Sequence, residues 1–151
     1  MNKHLRLLAL PILLLATFPL TSCSQDCSDY VGDYYLDVQY EKTVHYYWGS
    51  KNELERKDVS GLDNCTGITI YSDRSVAFHI KNQDDKKGKI VVFFGQASFR
   101  SLPFSDSYKF KVKEQNGKKV LEHSWSEDKH GLEYDEKSRR IVFIEKDEII
   151  D

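Results

Sequence analysis

The sequence lacks the short motifs that commonly mark an enzyme. It has no Gly-x-Ser-x-Gly elbow, no His-Glu-x-x-His pair, no phosphate-binding glycine loop and no Cys-x-x-Cys pair. Because adjacent strand residues face opposite sides, Ser124 beside His123 does not make a catalytic pair. We therefore expect that the protein is not an enzyme, has no catalytic residue and binds no metal or cofactor. The histidines after residue 22 are expected at the surface: His45, His79, His123 and His130.

The sequence also has no excess of positive charge. The chain carries 22 Lys+Arg against 24 Asp+Glu, a net charge of −2. Loss of an N-terminal leader that contains Lys3 and Arg6 removes two positive charges and no carboxylate, which changes the net charge to −4. A nucleic-acid partner would favour a basic face, so this balance argues against that class of function.

Long apolar runs are absent except near the start of the chain. Lys3 and Arg6 precede an almost entirely apolar run at residues 7–20, and the small residues Thr21 and Ser22 follow it. A charged start, an apolar middle and a small-residue end are the parts of a secretory signal. The run is too short for a comfortable transmembrane helix, which needs ~20 apolar residues. We expect residues 1–22 to be a signal peptide.

The end of this run, Leu20-Thr21-Ser22-Cys23, resembles the lipobox of bacterial lipoproteins. The resemblance implies cleavage before Cys23, diacylglycerol on its thiol and fatty acid, such as palmitate, on the new amino group. Two or three acyl chains hold a protein on a membrane where one holds it only reversibly. By similarity to enteric lipoproteins, Ser24 favours the outer membrane, on its periplasmic face. The alternative is a secreted protein cleaved near an unmodified cysteine.

Removal of the leader leaves enough chain for one domain and too little for two. Residues 23–29 are expected to form a lipidated tether, and residues 30–151 a single β-rich domain. With Cys23 lipidated, Cys27 and Cys65 remain, and an oxidising compartment favours a disulfide between them. Such a bridge, closing a loop of about 40 residues, would contribute roughly 3–4 kcal/mol. Two free thiols, or metal ligands, are the alternatives.

Apolar residues alternate with polar ones along most of this domain, which is typical of half-buried strands. Tyr34, Leu36, Val38 and Tyr40 form the first such row, and similar rows occur within residues 44–48, 66–80, 108–125 and 132–144. Residues 90–94 are apolar in both phases, which predicts the most deeply covered strand. Residues 49–64 are predicted to be a loop with at most one helical turn. Asn116-Gly117 is the strongest hairpin signal.

Eight or nine short strands joined mostly by tight turns predict an all-β fold, an antiparallel meander after an N-terminal signal helix. Closure into a small up-and-down barrel removes exposed strand edges, and an open bent sheet or a sandwich is the alternative. The layout is similar to that of lipocalin-type lipoproteins. Gly32-Asp33-Tyr34 resembles the Gly-x-Trp opening of lipocalins, with Tyr34 where Trp is usual.

One segment is the candidate for binding a partner. Residues 95–104 join two predicted strands and carry Phe99, Arg100, Leu102 and Phe104. Exposed apolar side chains around an arginine are typical of interface hot spots, so these four residues are predicted to bind a partner. The alternative is that this loop folds over the open end of the barrel and plugs it.

These observations leave three functions open. The favoured one is a membrane-anchored envelope lipoprotein that binds another envelope protein, as immunity lipoproteins and lysozyme inhibitors do. The second is a carrier that holds a small hydrophobic ligand inside the barrel, and the third is a structural lipoprotein with no discrete ligand. A solvent-open cavity of ~300 Å³ or more would favour the carrier. An interior filled by large side chains would favour the binding module, and the side chains expected there are Tyr34, Leu36, Tyr40, Phe78, Phe93, Phe110 and Trp125.

Overall fold

The fold is described from a computed structural model, which describes residues 25–56, 59–129 and 131–147. The predicted signal peptide, its helix and Cys23 lie outside these ranges, as does His130. One 3₁₀ turn, Ser28–Tyr30, precedes the sheet. The nine strands are β1 (Gly32–Tyr47), β2 (Ser50–Arg56), β3 (Cys65–Ile70), β4 (Ser75–Ile80), β5 (Lys86–Phe93), β6 (Gln96–Arg100), β7 (Lys111–Gln115), β8 (Lys118–Glu127) and β9 (Glu133–Glu145).

The strands form a nearly closed, antiparallel barrel of eight strands, which confirms the predicted all-β class and barrel. Neighbours follow the order β6-β5-β4-β3-β1-β9-β8-β7, and β2 pairs with β1 outside this path. The two ends of this order meet where Ala97 and Phe110 exchange two backbone hydrogen bonds of 2.8 and 2.7 Å. This short bridge closes the barrel between β6 and the residue before β7.

β1 is longer than the barrel and carries a second structure beyond it. Its first residues, Gly32 to Tyr35, pair with β3, whereas Glu41 to Tyr47 pair with β2. On its other side β1 pairs with β9 from Tyr34 to Tyr47, with one irregularity near Leu36. The far halves of β1 and β9, together with β2, therefore extend beyond the barrel and form what we call the arm. The end of β8 stays paired with β9 as far as Glu127 with Lys137, and beyond that pair the arm has three strands.

β2 corrects part of the prediction that residues 49–64 form a loop, because Ser50–Arg56 is a strand, whereas residues 59–64 are turns and irregular chain. Its described side chains, Ser50 to Glu53, are all exposed, so the alternation that marks a half-buried strand is missing from this stretch. The Ser50 hydroxyl donates to the Tyr47 carbonyl at 2.7 Å, and the helical turn that was allowed for in this segment is not found in residues 50–56. Pairing with β1 defines this strand, together with an ion pair between Lys42 and Glu53.

Large side chains fill the barrel. The largest of those that are almost completely buried are Tyr34, Phe78, Phe99, Phe110 and Phe143. The Tyr34 hydroxyl donates to the Tyr30 carbonyl at 2.8 Å, so its one polar atom is satisfied inside the core. At the barrel end from which the arm extends, segments 59–64 and 101–108 contribute the buried residues Val59, Leu62, Phe104 and Tyr108.

The predicted disulfide between Cys27 and Cys65 is not formed, and both cysteines are free thiols. Residues flanking Cys27 lie at the Ile70 end of β3, because Gln25 accepts a bond from Arg74 and Gly32 pairs with Ile70. Cys65 begins β3, and its five steps to Ile70 span about 17 Å at the usual rise. A disulfide needs Cα atoms within about 7 Å. Burial raises the pKa of the Cys65 thiol to about 12, which keeps it protonated.

Gly67 in β3 permits the close approach of β1, and its replacement tests the barrel packing. A Cβ at Gly67 would lie 2.1 Å from the Tyr34 carbonyl oxygen, so Gly67→Ala forces backbone atoms apart. We expect a loss of about 1–3 kcal/mol in the free energy of unfolding, measured by urea denaturation. Gly131→Ala is the matched control, since its Cβ would come no closer than 3.9 Å to a heavy atom. Equal stability of the two variants would contradict this packing.

Candidate functional site

Three hairpins in the sheet turn through two residues that both have positive φ. The flanking pairs are Tyr47 with Ser50, Phe93 with Gln96 and Gln115 with Lys118. Two-residue turns of this kind favour Asn-Gly, because asparagine and glycine tolerate the left-handed region. The turn residues and their φ values are Trp48 (47°) and Gly49 (81°), Phe94 (49°) and Gly95 (71°), and Asn116 (54°) and Gly117 (77°).

Only the third of these turns has the favoured residue at its first position. For a bulky side chain the left-handed region costs about 1–2 kcal/mol, so Trp48 and Phe94 are poor choices for folding alone. Neither residue recovers this cost by burial, because Trp48 is 67% exposed and Phe94 is 80% exposed. Strained residues of this kind concentrate at functional sites. Both hairpin tips are therefore candidate binding sites.

The first candidate is an apolar patch at the free end of the arm. It consists of Tyr47, Trp48 and Leu132, which are 50%, 67% and 68% exposed, and we call it the distal patch. The Trp48 amide donates to the Leu132 carbonyl at 3.0 Å, which joins the β1–β2 turn to the chain just before β9. The Tyr47 and Trp48 rings lie edge to face with centroids 6.3 Å apart. Three large apolar side chains thus share one tip.

Side-chain contacts across β1 and β9 support this patch from below. The Tyr46 and Tyr134 rings stack with centroids 4.6 Å apart, and the Tyr46 hydroxyl donates to Glu136 at 3.1 Å. His45 Nδ1 lies 2.6 Å from the Asp135 carboxylate on the neighbouring pair. Cross-strand pairs of this kind each add stability to an antiparallel ribbon. The patch is therefore presented on an ordered ribbon that continues from the barrel.

A buried histidine connects the arm to the barrel, which corrects the prediction that His123 lies at the surface. Its side chain packs inside because Tyr108 stacks on it with ring centroids 5.0 Å apart. Nδ1 lies 2.9 Å from the Lys109 carbonyl, and Arg139 Nε donates to Nε2 at 3.1 Å. We assign the neutral ring with its proton on Nδ1. Burial chiefly, and the Arg139 charge in addition, lower the pKa of His123, and the Lys109 contact opposes them.

This histidine predicts a pH dependence of stability. Unfolded histidine has a pKa of about 6.5, and the folded pKa of His123 is lower, so the unfolded state binds the proton more readily. The contribution of neutral His123 is therefore complete above that unfolded pKa and decreases as the pH falls below it. Between pH 7 and 5 the wild type should lose more stability than His123→Gln, by at most about 1.4 kcal/mol per pH unit. Parallel urea-denaturation profiles of the two proteins would contradict the assignment.

The second candidate lies at the opposite end of the barrel, at the β5–β6 turn. Phe93 and Phe94, which we call the proximal patch, are 55% and 80% exposed, and their rings meet edge to face at 4.3 Å. This finding corrects the prediction that residues 90–94 form the most deeply covered strand. Ile90 and Val92 are buried, but β5 ends at Phe93 and the turn at Phe94 carries both rings beyond the barrel.

The predicted partner-binding residues do not form one exposed surface. Phe99 lies in β6 and is completely buried, with its ring 5.3 Å from that of Phe110. Phe104 is also buried and packs on Phe78 and Phe99. Leu102 is partly buried against the core and Arg100 is exposed. The two phenylalanines therefore belong to the core, as in the plug alternative, and their predicted exposure is wrong.

A pair of alanine variants separates these roles within two adjacent residues. Phe99→Ala removes a buried ring and should lower the free energy of unfolding by about 3–5 kcal/mol. Arg100→Ala removes an exposed side chain and should change it by no more than about 0.5 kcal/mol. Urea denaturation of both variants checks this contrast. A stable Phe99→Ala protein would show that the ring is not part of the core.

Large buried side chains occupy the interior of the barrel, and two grooves that could accept a ligand lie at its surface. One groove of about 380 Å³ lies beside β7 and β8 and is lined mainly by polar side chains, among them Lys109, Lys111 and Glu122. Another, of about 370 Å³, lies against outward-facing residues of β1, β8 and β9 that include Val38 and Val142. Both exceed the volume expected of a carrier, but they are surface grooves. Of the side chains predicted to fill the interior, Tyr34, Phe78 and Phe110 are buried, Leu36 and Tyr40 are partly buried, and Phe93 and Trp125 are exposed.

One polar cluster at the surface combines a histidine, a hydroxyl and two carboxylates. His79 Nδ1 lies 2.9 Å from Asp85, and His79 Nε2 lies 2.7 Å from the Thr69 hydroxyl. The same hydroxyl contacts Asp33 at 2.8 Å, and when its one proton goes to Asp33 it is an acceptor towards His79. In that arrangement Thr69 is not activated as a nucleophile by the histidine. No group of three potential metal ligands occurs among the residues described.

Comparisons with protein-family models, with curated proteins and with solved structures find no match to this chain. The resemblances to bacterial lipoproteins and to lipocalins therefore stay predictions from the sequence. None of the helices in the described ranges is long and apolar enough to cross a membrane.

Neither hairpin tip was predicted from the sequence. Trp48-Gly49 and Phe94-Gly95 each follow a strand and precede polar residues, which is the same context as Asn116-Gly117. The aromatic residue in the first turn position concealed the signal, because it reads as a continuation of the strand. A glycine that directly follows an apolar strand was the one available indication of each turn.

Proposed function

We propose that the chain is a lipid-anchored lipoprotein of the bacterial envelope that binds another envelope protein through the distal patch. The binding is of the inhibitor or immunity type, in which a small domain attaches to a target protein without chemistry of its own. The observation that carries the proposal is Trp48, an exposed tryptophan held in an unfavourable backbone conformation at the tip of the arm. Tryptophan and tyrosine are enriched among residues that dominate binding energies.

The predicted anchor and the distal patch lie at opposite ends of the structure, which supports this function. Gln25, two residues after the predicted lipidation site, lies at the barrel end that also contains Gly95, whereas Trp48 lies at the free end of the arm. The fifteen steps from Gly32 to Tyr47 correspond to about 50 Å along β1. A lipid on Cys23 would thus hold one end at the outer membrane, and the distal patch would extend into the periplasm.

The edge of the arm offers a way to enlarge the contact. Three side chains are too few for a stable interface, which commonly buries about 800 Å² on each partner. β2 pairs with β1 on one side, and no other described strand pairs with its second edge. A partner strand added to this edge would supply backbone hydrogen bonds, while the distal patch would supply apolar contact. Lys51 and Glu53 beside the turn would restrict which partner strands fit.

The carrier alternative is less well supported by the packing. A hydrophobic ligand inside the barrel would need space now filled by rings such as those of Tyr34, Phe99 and Phe110. The grooves beside β7 and β8 and against β1, β8 and β9 lie outside the barrel and have charged lining residues. A structural lipoprotein with no ligand needs no exposed tryptophan in a left-handed turn.

Trp48→Asn tests the proposal because it separates folding from binding. Asparagine suits the turn, as at Asn116, so we expect stability to stay equal or rise by up to about 1 kcal/mol. A photo-crosslinking residue at Lys51 should capture a discrete envelope protein in the otherwise wild-type chain and lose that product in Trp48→Asn. Tyr71→Asn, at another exposed aromatic position, is the control and should retain the product. A product that persists in Trp48→Asn would contradict the proposed site.

Cys23→Ala tests the anchor separately. Without the thiol that accepts the lipid, the protein should appear in the soluble fraction of cell extracts after a carbonate wash, and the wild type should stay with the membranes. Its folded barrel should be unchanged, because Cys23 precedes every described element. Continued fractionation of Cys23→Ala with washed membranes would show that lipid is not the main attachment.

A further inference from the structure

We propose that the proximal patch inserts into the lipid surface beside the anchored cysteine and forms a second membrane contact. The inference rests on the proposed lipidation of Cys23 and adds a binding site to it. The partner is the apolar region of the same leaflet that holds the acyl chains. The inserted group is the pair of rings Phe93 and Phe94 at the β5–β6 turn.

The segment that follows Cys23 is hydrogen-bonded to the β5–β6 hairpin. The Gln25 amide donates to the Val92 carbonyl at 2.9 Å, and Arg74 Nη1 donates to the Gln25 carbonyl at 2.8 Å. Cys23 precedes Gln25 by two residues, which span at most about 7 Å. An acyl chain on Cys23 would therefore begin within about 10 Å of the strand that ends at Phe93. The proximity follows from hydrogen bonds of the described chain.

A second bond fixes the turn itself to the entering chain. The Tyr30 hydroxyl donates to the Gly95 carbonyl at 3.0 Å, and Tyr30 is buried in the core. The turn that carries Phe94 is thus held both by the residues before β1 and by its own strands. A rigid support matters here, because an ordered tip loses little conformational freedom on insertion.

The chemistry of the tip favours lipid over a protein surface. Phe93 and Phe94 expose apolar rings and no polar atom of their side chains, unlike the tyrosine and tryptophan of the distal patch. Nearby charges are of both signs, because Asp26 lies near the Arg74 guanidinium and Asp73 lies near the Lys89 ammonium. The surface around the tip therefore does not attract anionic headgroups strongly. Insertion would be driven by burial of the rings and would depend little on salt or on anionic lipid.

Two contacts would orient the molecule where one would leave it free to rotate. An acylated cysteine alone attaches the domain through a short tether. Insertion of the β5–β6 turn would direct that end of the barrel towards the membrane. The arm would then point away from the bilayer, with Trp48 about 50 Å along β1 from the membrane-proximal end.

Single-tryptophan proteins test this orientation in the mature, lipidated chain, residues 23–151. One protein, the proximal reporter, carries Trp48→Phe, Trp125→Phe and Phe94→Trp, so that its one tryptophan lies in the proximal patch. The matched control, the distal reporter, carries only Trp125→Phe and reports on the distal patch through Trp48. Both are reconstituted in vesicles of neutral phosphatidylcholine with or without bromine on the acyl chains, since brominated lipid quenches tryptophan at contact. Co-flotation with the vesicles is measured in the same samples.

The expected result is loss of most tryptophan emission from the proximal reporter in brominated vesicles and little loss from the distal reporter. Co-flotation without quenching of the proximal reporter would overturn the inference and leave the proposed anchor intact. Equal quenching of the two reporters would also overturn it, because the molecule would then lie flat on the membrane. Failure of both proteins to float with the vesicles would instead refute the lipid attachment, and the inference with it.

Discussion

The pairing of β1 with β9 is the interaction on which the rest of the structure depends. It begins at Tyr34 with Glu145, inside the barrel, and continues to Tyr47 with Glu133 at the tip of the arm. The same strand therefore contributes to the core through Tyr34 and to the exposed distal patch through Tyr47. Because the ladder crosses the boundary between barrel and arm, the two parts form one sheet. A site at the tip is positioned by the packing of the barrel.

Two aromatic turns lie at opposite ends of the structure formed by the barrel and the arm. Trp48 and Phe94 both occupy a backbone region that suits asparagine, and both leave most of their surface exposed. Neither choice helps the barrel fold, whereas Asn116-Gly117 shows that the same turn can be made at lower cost. Residues that disagree with their local backbone while the rest of the sheet agrees are expected at functional sites. In the proposed orientation, one tip adjoins the lipid on Cys23 and the other is available to bind a partner.

The sequence was sufficient to predict the architecture wherever a strand has one buried and one solvent-exposed face. Alternating apolar and polar residues around Tyr34 and along β3, β4 and β9 predicted these strands. Together with the hairpin signal at Asn116-Gly117, they predicted the barrel that is observed. It was insufficient where tertiary contacts decide the outcome. The described side chains of β2 form no buried face, so its pairing with β1 could not be predicted from its own residues. Phe99 is buried because β6 pairs with β5 in the barrel. His123, in β8, is covered by Tyr108, which lies in the segment before β7.

The disulfide was wrongly predicted and the hairpin tips were missed for related reasons. Pairing of Cys27 with Cys65 was inferred from their number and compartment, but strand register places their neighbourhoods at opposite ends of β3. Exposure of Trp48 and Phe94 depends on where each strand stops, and apolar patterning does not mark that point. Local sequence therefore predicted the fold class, and the candidate sites became visible only with the register of the sheet.

The intact mass of the protein extracted from membranes of a bacterium expressing the full chain is the most direct test, since both the anchor and the orientation depend on Cys23. We predict a mass equal to residues 23–151 plus diacylglycerol and an amide-linked fatty acid, with both modifications mapped to Cys23 by peptide fragmentation. An intact leader, or a mature terminus elsewhere without fatty acid, would contradict the lipid anchor and the orientation together.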